Sequence, residues 1–222
     1  METCKLKICG LSRFGDILAA NEILPDYIGF VFAGSSRQVT PDKAAQLKRE
    51  LDARIRAVGV FVNAPMEDIL KLTGERDGLR IIDMIQLHGD EDETYMRQLK
   101  ERTSLPVIKA VRVRSRDQIL RAQELPCDYL LLDTYAKGQY GGSGIQFDWD
   151  MIPELGKPYF LAGGIHLGNV RQAVRRRPYC IDVSSAVETE GRKDRRKMTE
   201  MAEALRYAVT DMAGIEKEAV GA

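Results

Sequence analysis

Short runs of apolar and β-branched residues recur along the chain. They lie at Lys5–Cys9, Tyr27–Phe32, Ile55–Val62, Met84–His88, Val107–Val113, Tyr129–Asp133, Tyr159–Ala162 and Ile181–Ser184. Continuous apolar runs suit strands covered on both faces, as in a parallel sheet. Between them the spacing turns helical. Thr40-Pro41 supplies an N-cap and a first helical position ahead of Ala44, Ala45 and Leu47. Ala64-Pro65 precedes Met66, Ile69, Leu70 and Leu72, and Glu91–Arg102, Ser115–Leu125 and the shorter Asn169–Arg177 carry similar signals. The last predicted helix sets Met198, Met201, Ala202, Leu205, Val209 and Met212 on one face, so those methionines belong to a core rather than a ligand box. The weakest helix prediction is Asp148–Leu155, which has Pro153 inside it.

Strand runs alternating with helices predict repeated βα units. A closed barrel and an open doubly wound sheet both fit. The count of eight favours a single (β/α)8 TIM barrel, α/β in class, with eight parallel strands and outer helices. No linker rich in Gly, Pro or Ser divides the chain. Residues 1–212 are therefore assigned to the barrel domain and 213–222 to a loosely ordered C-terminal tail.

Composition narrows the class. The 222 residues are 44% hydrophobic and 30% charged, with 33 basic and 33 acidic side chains, so net charge is zero. That balance lacks the basic footprint of a nucleic-acid binder. The basic clusters Arg175-Arg176-Arg177 and Arg192–Lys197 read as solvated helix faces. Cys4, Cys9, Cys127 and Cys180 form no CxxC pair, and His88 and His166 stand far apart without a metal-ligand pattern. Unpaired thiols, no signal-peptide core and no membrane-length apolar run predict a reduced cytoplasmic protein with no membrane partner and no metal.

Active sites of such barrels sit at the C-terminal ends of the strands. The first run ends in Cys9-Gly10, which either points a thiol into the mouth or buries a small hydrophobe. The sixth ends in Asp133 after three leucines. A carboxylate there is costly to bury unless paired or useful, and a helix cap or a structural salt bridge stands equally open. Gly142 and Ser143 follow in a glycine-rich loop, for which a plain turn is the simpler reading. The seventh run leads into Gly163 and Gly164, the eighth into Ser184 and Ser185. Loops after strands seven and eight frequently hold phosphate, where glycine N–H groups and serine hydroxyls donate. Arg37 follows the second run and suits a carboxylate, or is simply a surface arginine. A thiol, a carboxylate and a phosphate cradle, without a dinucleotide fingerprint, point to cofactor-free acid–base chemistry on a sugar phosphate.

The segments KICG, GFVFAGSSRQVTP, VGVFVN, IQLHGDE, LLLDT, GGSGIQFDW, LAGGI and DVSSAVE occur in order, each at its place in the barrel. Together they resemble the phosphoribosylanthranilate isomerases from about Lys5 to Leu205. The resemblance implies an Amadori rearrangement of N-(5-phosphoribosyl)anthranilate to 1-(2-carboxyphenylamino)-1-deoxyribulose 5-phosphate, in tryptophan biosynthesis. It implies Cys9 as general base, Asp133 as general acid and Arg37 as the contact of the anthranilate carboxylate. Gly163, Gly164, Ser184 and Ser185 take the phosphate, and Gly142 and Ser143 help to cover the substrate. The substrate iminium is the electron sink, so no cofactor is implied. For this work the thiol is expected to shift down and the acid up. Gln38, the stretch His166-Leu167-Gly168-Asn169 and Ala186 depart from the usual pattern without removing a proposed group. His88 and His166 are given no role, and a monomer or homodimer is expected.

Other readings remain. Lys109 in the fifth run is the candidate for a Schiff-base sugar-phosphate lyase. The histidine-pathway aminoaldose isomerase would carry Asp in place of Cys9. A non-catalytic phosphosugar-binding barrel would lack an acid or a base, and both are present here.

Overall fold

The computed structural model describes residues 4–76, 78–134 and 147–220. Strands β1 (Lys5–Cys9), β2 (Tyr27–Val31), β3 (Arg56–Phe61), β4 (Met84–Leu87), β5 (Val107–Val113), β6 (Tyr129–Thr134), β7 (Tyr159–Leu161) and β8 (Cys180–Val183) form a closed barrel. Each strand pairs in parallel with the next, and β8 closes onto β1 with Lys5 opposite Cys180 and Lys7 opposite Asp182. Closure leaves no free sheet edge.

Helices α1 (Phe14–Ile23), α2 (Pro41–Arg49), α3 (Met66–Thr73), α4 (Glu93–Arg102), α5 (Arg116–Ala122), α6 (Val170–Arg175) and α7 (Arg195–Val220) form the outer elements. Thr40 caps α2 as expected, accepting from the Lys43 N–H, with Pro41 at the first turn. Helix α1 has no counterpart in the sequence reading. Its apolar residues go round the helix: Ile17 and Ala20 are buried, yet Leu18 is exposed, so no single stripe announces it. Of the predicted segment Asp148–Leu155, only the 3-10 turn Trp149–Met151 is helical. Pro153 lacks the N–H a longer helix would need. Met212 still packs against the core near the end of α7. Among the described residues no helix is long and apolar enough to cross a membrane.

The core has two shells. Alternate strand residues, such as Val58, Met84, Ile108, Leu131 and Phe160, fill the barrel. Their neighbours Ala57, Ile85, Val107, Leu130 and Leu161 pack outward with the helices. This period of two decides which side chains can reach the mouth. Cys9 and Lys7 share the inner face of β1, and Gln86 and His88 continue the inner face of β4. Asp133 follows Leu131 on β6, and Asp182 follows Cys180 on β8. Lys109 falls on the other parity, among the outward residues of β5.

Candidate active site

The predicted residues within the described chain meet at one end of the barrel. Cys9, Arg37, Asp133, Gly163, Gly164, Ser184 and Ser185 line a large cavity at the C-terminal ends of the strands. Gly142 and Ser143 lie outside the described residues.

Cys9 is partly exposed to this mouth. Gly29, its neighbour on β2, leaves the space: a Cβ there would stand 2.7 Å from the thiol sulfur. Below it, the buried Lys7 ammonium pairs with Asp182 Oδ2 at 2.7 Å. Burial works against charge on Lys7, but the Asp182 carboxylate outweighs it and keeps the ammonium protonated. Burial pushes the Cys9 thiol up, and the pull of Lys7 does not overcome it. In the substrate-free protein burial thus acts opposite to the downward shift expected of this thiol. Lys7 and Lys193 both favour the thiolate, and further positive charge beside the sulfur would add to their pull.

Asp133 is 4% exposed, deep enough that its partners matter. Its Oδ1 accepts the Thr134 N–H at 2.7 Å. Its Oδ2 lies 3.3 Å from His88 Nε2, a neighbour that the sequence reading left without a role. Gln86 Nε2 stands 2.7 Å from the other ring nitrogen. Asp182 Oδ1 is buried and has no hydrogen-bond partner among the described residues. An unpartnered carboxylate oxygen facing a cavity suits a ligand hydroxyl.

Arg37 grips an internal carboxylate. Its Nε and Nη2 donate to the two oxygens of Glu188, each at 2.7 Å. Glu188 also receives Lys193 Nζ at 2.5 Å. The fork geometry fixes the guanidinium plane and leaves its Nη1 edge for a second carboxylate. Gly10 lets Arg37 lie against β1, since a Cβ there would come within 2.4 Å of Arg37 Cδ. This pairing joins residues 151 apart, beyond the reach of local pattern.

Gly163 and Gly164 both take positive φ, 80° and 69°. Asn169 braces their loop, donating to the Gly164 carbonyl at 2.9 Å and accepting from the His166 N–H at 2.8 Å. Ser184 turns its hydroxyl to the Cys9 carbonyl at 3.0 Å, and exposed Ser185 opens the 3-10 turn Ser185–Val187. A Cβ on Gly163 would lie 2.7 Å from Asp133 Oδ1 and 2.5 Å from Thr134 Oγ1. Gly163→Ala is therefore expected to displace Asp133 and lower kcat by about 10²-fold, the scale of an ångström-sized misplacement. Steady-state kinetics on the folded variant checks it; an unchanged kcat contradicts the placement.

Lys109 does not face the mouth. Its ammonium donates to the Gly89 carbonyl and Glu91 Oε2, each at 2.8 Å, on the outer side of β5. Glu91 in turn accepts the Asn63 and Gly89 N–H groups. The lysine braces the loop after β4 and does not present a nucleophile. Lys109→Met is expected to cost about 3–5 kcal/mol of stability by leaving Glu91 buried without its cation. Urea unfolding measures this. A variant as stable as the parent would refute the bracing role.

Among the described residues no group of three or more His, Cys, Asp or Glu is placed to hold a metal ion. The fold and its mouth, with a thiol and a carboxylate over an anion-suited rim, define a (β/α)8-barrel enzyme class. A family model described as N-(5'phosphoribosyl)anthranilate (PRA) isomerase matches residues 6–204. The N-(5'-phosphoribosyl)anthranilate isomerase of Endomicrobium trichonymphae is 47% identical, over 91% of this chain and 98% of that one. The crystal structure of phosphoribosyl anthranilate isomerase from Thermus thermophilus superposes with a TM-score of 0.79 at 30% identity, covering 91% of this chain and 98% of that chain. A phosphoribosyl anthranilate isomerase in complex with reduced 1-(o-carboxyphenylamino)-1-deoxyribulose 5-phosphate gives 0.75 at 32% identity, with the same coverage. This chain belongs to the N-(5'-phosphoribosyl)anthranilate isomerase family.

Proposed function

We propose that the chain isomerises N-(5-phosphoribosyl)anthranilate to 1-(2-carboxyphenylamino)-1-deoxyribulose 5-phosphate, with Asp133 as general acid and Cys9 as general base. The carrying observation is that both side chains line one cavity with Arg37 and the β7 and β8 loops. In this reading Asp133 protonates the furanose ring oxygen. The ring C1–O bond breaks, and the anilino nitrogen pair forms a C1=N iminium. Cys9, as thiolate, removes the C2 proton, and that pair forms C1=C2 while the nitrogen becomes neutral. The enolamine then gains a proton at C1 and loses one from its C2 hydroxyl, giving the ketone. No proton is consumed overall, and the substrate's own cation is the electron sink, so no cofactor is called for.

The iminium adds positive charge beside Cys9 to that of Lys7 and Lys193. Arg37, oriented by Glu188, offers its remaining edge to the anthranilate carboxylate. The stacked Phe32 and Phe61 rings, 5.2 Å apart, give the cavity an apolar wall suited to the aryl group. Gly163, Gly164, Ser184 and Ser185 take the phosphate, and Gly142 and Ser143 help to cover the substrate. The same reading places the protein in the cytoplasm as a monomer or homodimer, which sedimentation would distinguish.

The reduced product analogue tests this site without turnover. It is expected to protect Cys9 from alkylation, read by mass spectrometry at that residue. Alkylation of Cys9 at an unchanged rate under saturating analogue would place the substrate elsewhere.

A further inference from the structure

Gln86 and His88 alternate with Ile85 and Leu87, so both project to the lumen side of β4, and both line the cavity with Asp133. Their contacts form a chain. The Gln86 amide nitrogen lies 2.7 Å from His88 Nδ1, and His88 Nε2 lies 3.3 Å from Asp133 Oδ2. With the Gln86 amide nitrogen turned toward it, Nδ1 is the acceptor, and the neutral ring then keeps its proton on Nε2. That N–H faces Asp133. The opposite carboxylate oxygen, Oδ1, is engaged by the Thr134 N–H at 2.7 Å, which leaves Oδ2 as the oxygen that carries the transferable proton. His88 Nε2 makes no hydrogen bond of good geometry in the substrate-free protein, although it is buried. Contacts used in catalysis are commonly long at rest and shorten when charge develops.

We propose that His88 is a positioning residue for the acid step. Held in its Nε2–H tautomer by Gln86, it fixes Asp133 Oδ2 and stabilises the carboxylate left after proton delivery. The proposal rests on the acid role assigned to Asp133. In that step the Oδ2–H bond breaks, an O–H bond forms at the furanose oxygen, and the Oδ2 electron pair stays behind to meet the His88 N–H. A donor already aimed at the oxygen needs no reorganisation at that moment.

The chain has only two histidines, His88 and His166, so ring nitrogen spectra are simple to assign. In 15N-labelled protein, with a His166→Gln sample for assignment, the neutral His88 ring is expected to carry its proton on Nε2. His88→Leu is expected to lower kcat by about 10²-fold, the scale for losing one preorganised donor, with KM little changed. His88→Gln keeps an N–H at similar reach and is expected to recover part of that loss. Gln86→Leu is expected to mix the two tautomers and cost about 10-fold in kcat, as an outer-shell partner does.

A ring proton on Nδ1, parental kcat in His88→Leu, or equal losses in the leucine and glutamine variants would each overturn the proposal. If His88→Leu does not fold, the tautomer and the glutamine variant still decide it. Full activity in Asp133→Asn would instead remove the acid reading itself, a separate failure from that of His88.

Discussion

Cys9→Ala is expected to lower kcat by about 10²–10⁴-fold, the usual contribution of a positioned general base, with little change in KM. The thiol faces the reacting carbon in the proposed pose, whereas binding rests on Arg37 and the β7 and β8 loops. Removing it leaves Lys7 with Asp182, 2.7 Å away, so the buried ion pair survives and the barrel should fold. The same physics predicts a pH dependence. Burial raises the Cys9 thiol in the free protein, so its thiolate fraction grows only as pH rises past the ordinary thiol range. Alkylation at Cys9 should therefore accelerate with pH and show a midpoint above that of a free thiol. A midpoint below it would mean that Lys7 outweighs burial, and that the thiolate exists before substrate binds.

Asp133→Asn is expected to lose a comparable about 10²–10⁴-fold in kcat. The amide keeps Oδ1 and its hydrogen bond from the Thr134 N–H, which holds the side chain, while the acidic proton is lost and an NH2 replaces the oxygen that faced His88. The substrate and product should still bind, which fluorescence or calorimetry with the reduced analogue would show. Because both groups serve one rearrangement, the double variant should fall little below the weaker single variant. Full additivity would mean that the two contribute independently to one rate-limiting step. A folded Asp133→Asn protein with parental kcat would assign the ring-opening proton to another group.

Much of this barrel is visible in the chain before folding. The eight strand runs are continuous and short, and each ends where the mouth lies. Cys9, Asp133 and the glycine and serine pairs are conspicuous because they interrupt apolar sequence at those ends. What stayed hidden has physical reasons. Helix α1 spreads apolar residues around its surface. On β5 both faces are buried, so Val107–Val113 does not show that Lys109 points outward; only the parity of Ile108 and Ala110 with the inner shell reveals it. The Arg37–Glu188 pair depends on closure of the barrel. His88 did leave a signal: Gln86 and His88 are polar residues two apart in an otherwise apolar strand, which places both on one face. Reading that parity beside Asp133 needed the register of three-dimensional neighbours.

Isomerisation by this mouth, with its own acid and base, is the expected activity. Its most direct test is conversion of freshly prepared N-(5-phosphoribosyl)anthranilate by the purified parent chain, followed by chromatography beside folded Cys9→Ala and Asp133→Asn. Rapid formation of 1-(2-carboxyphenylamino)-1-deoxyribulose 5-phosphate by the parent is expected, with large losses in both variants. A folded parent that leaves the substrate unconverted, or variants that convert it as fast as the parent, would contradict it.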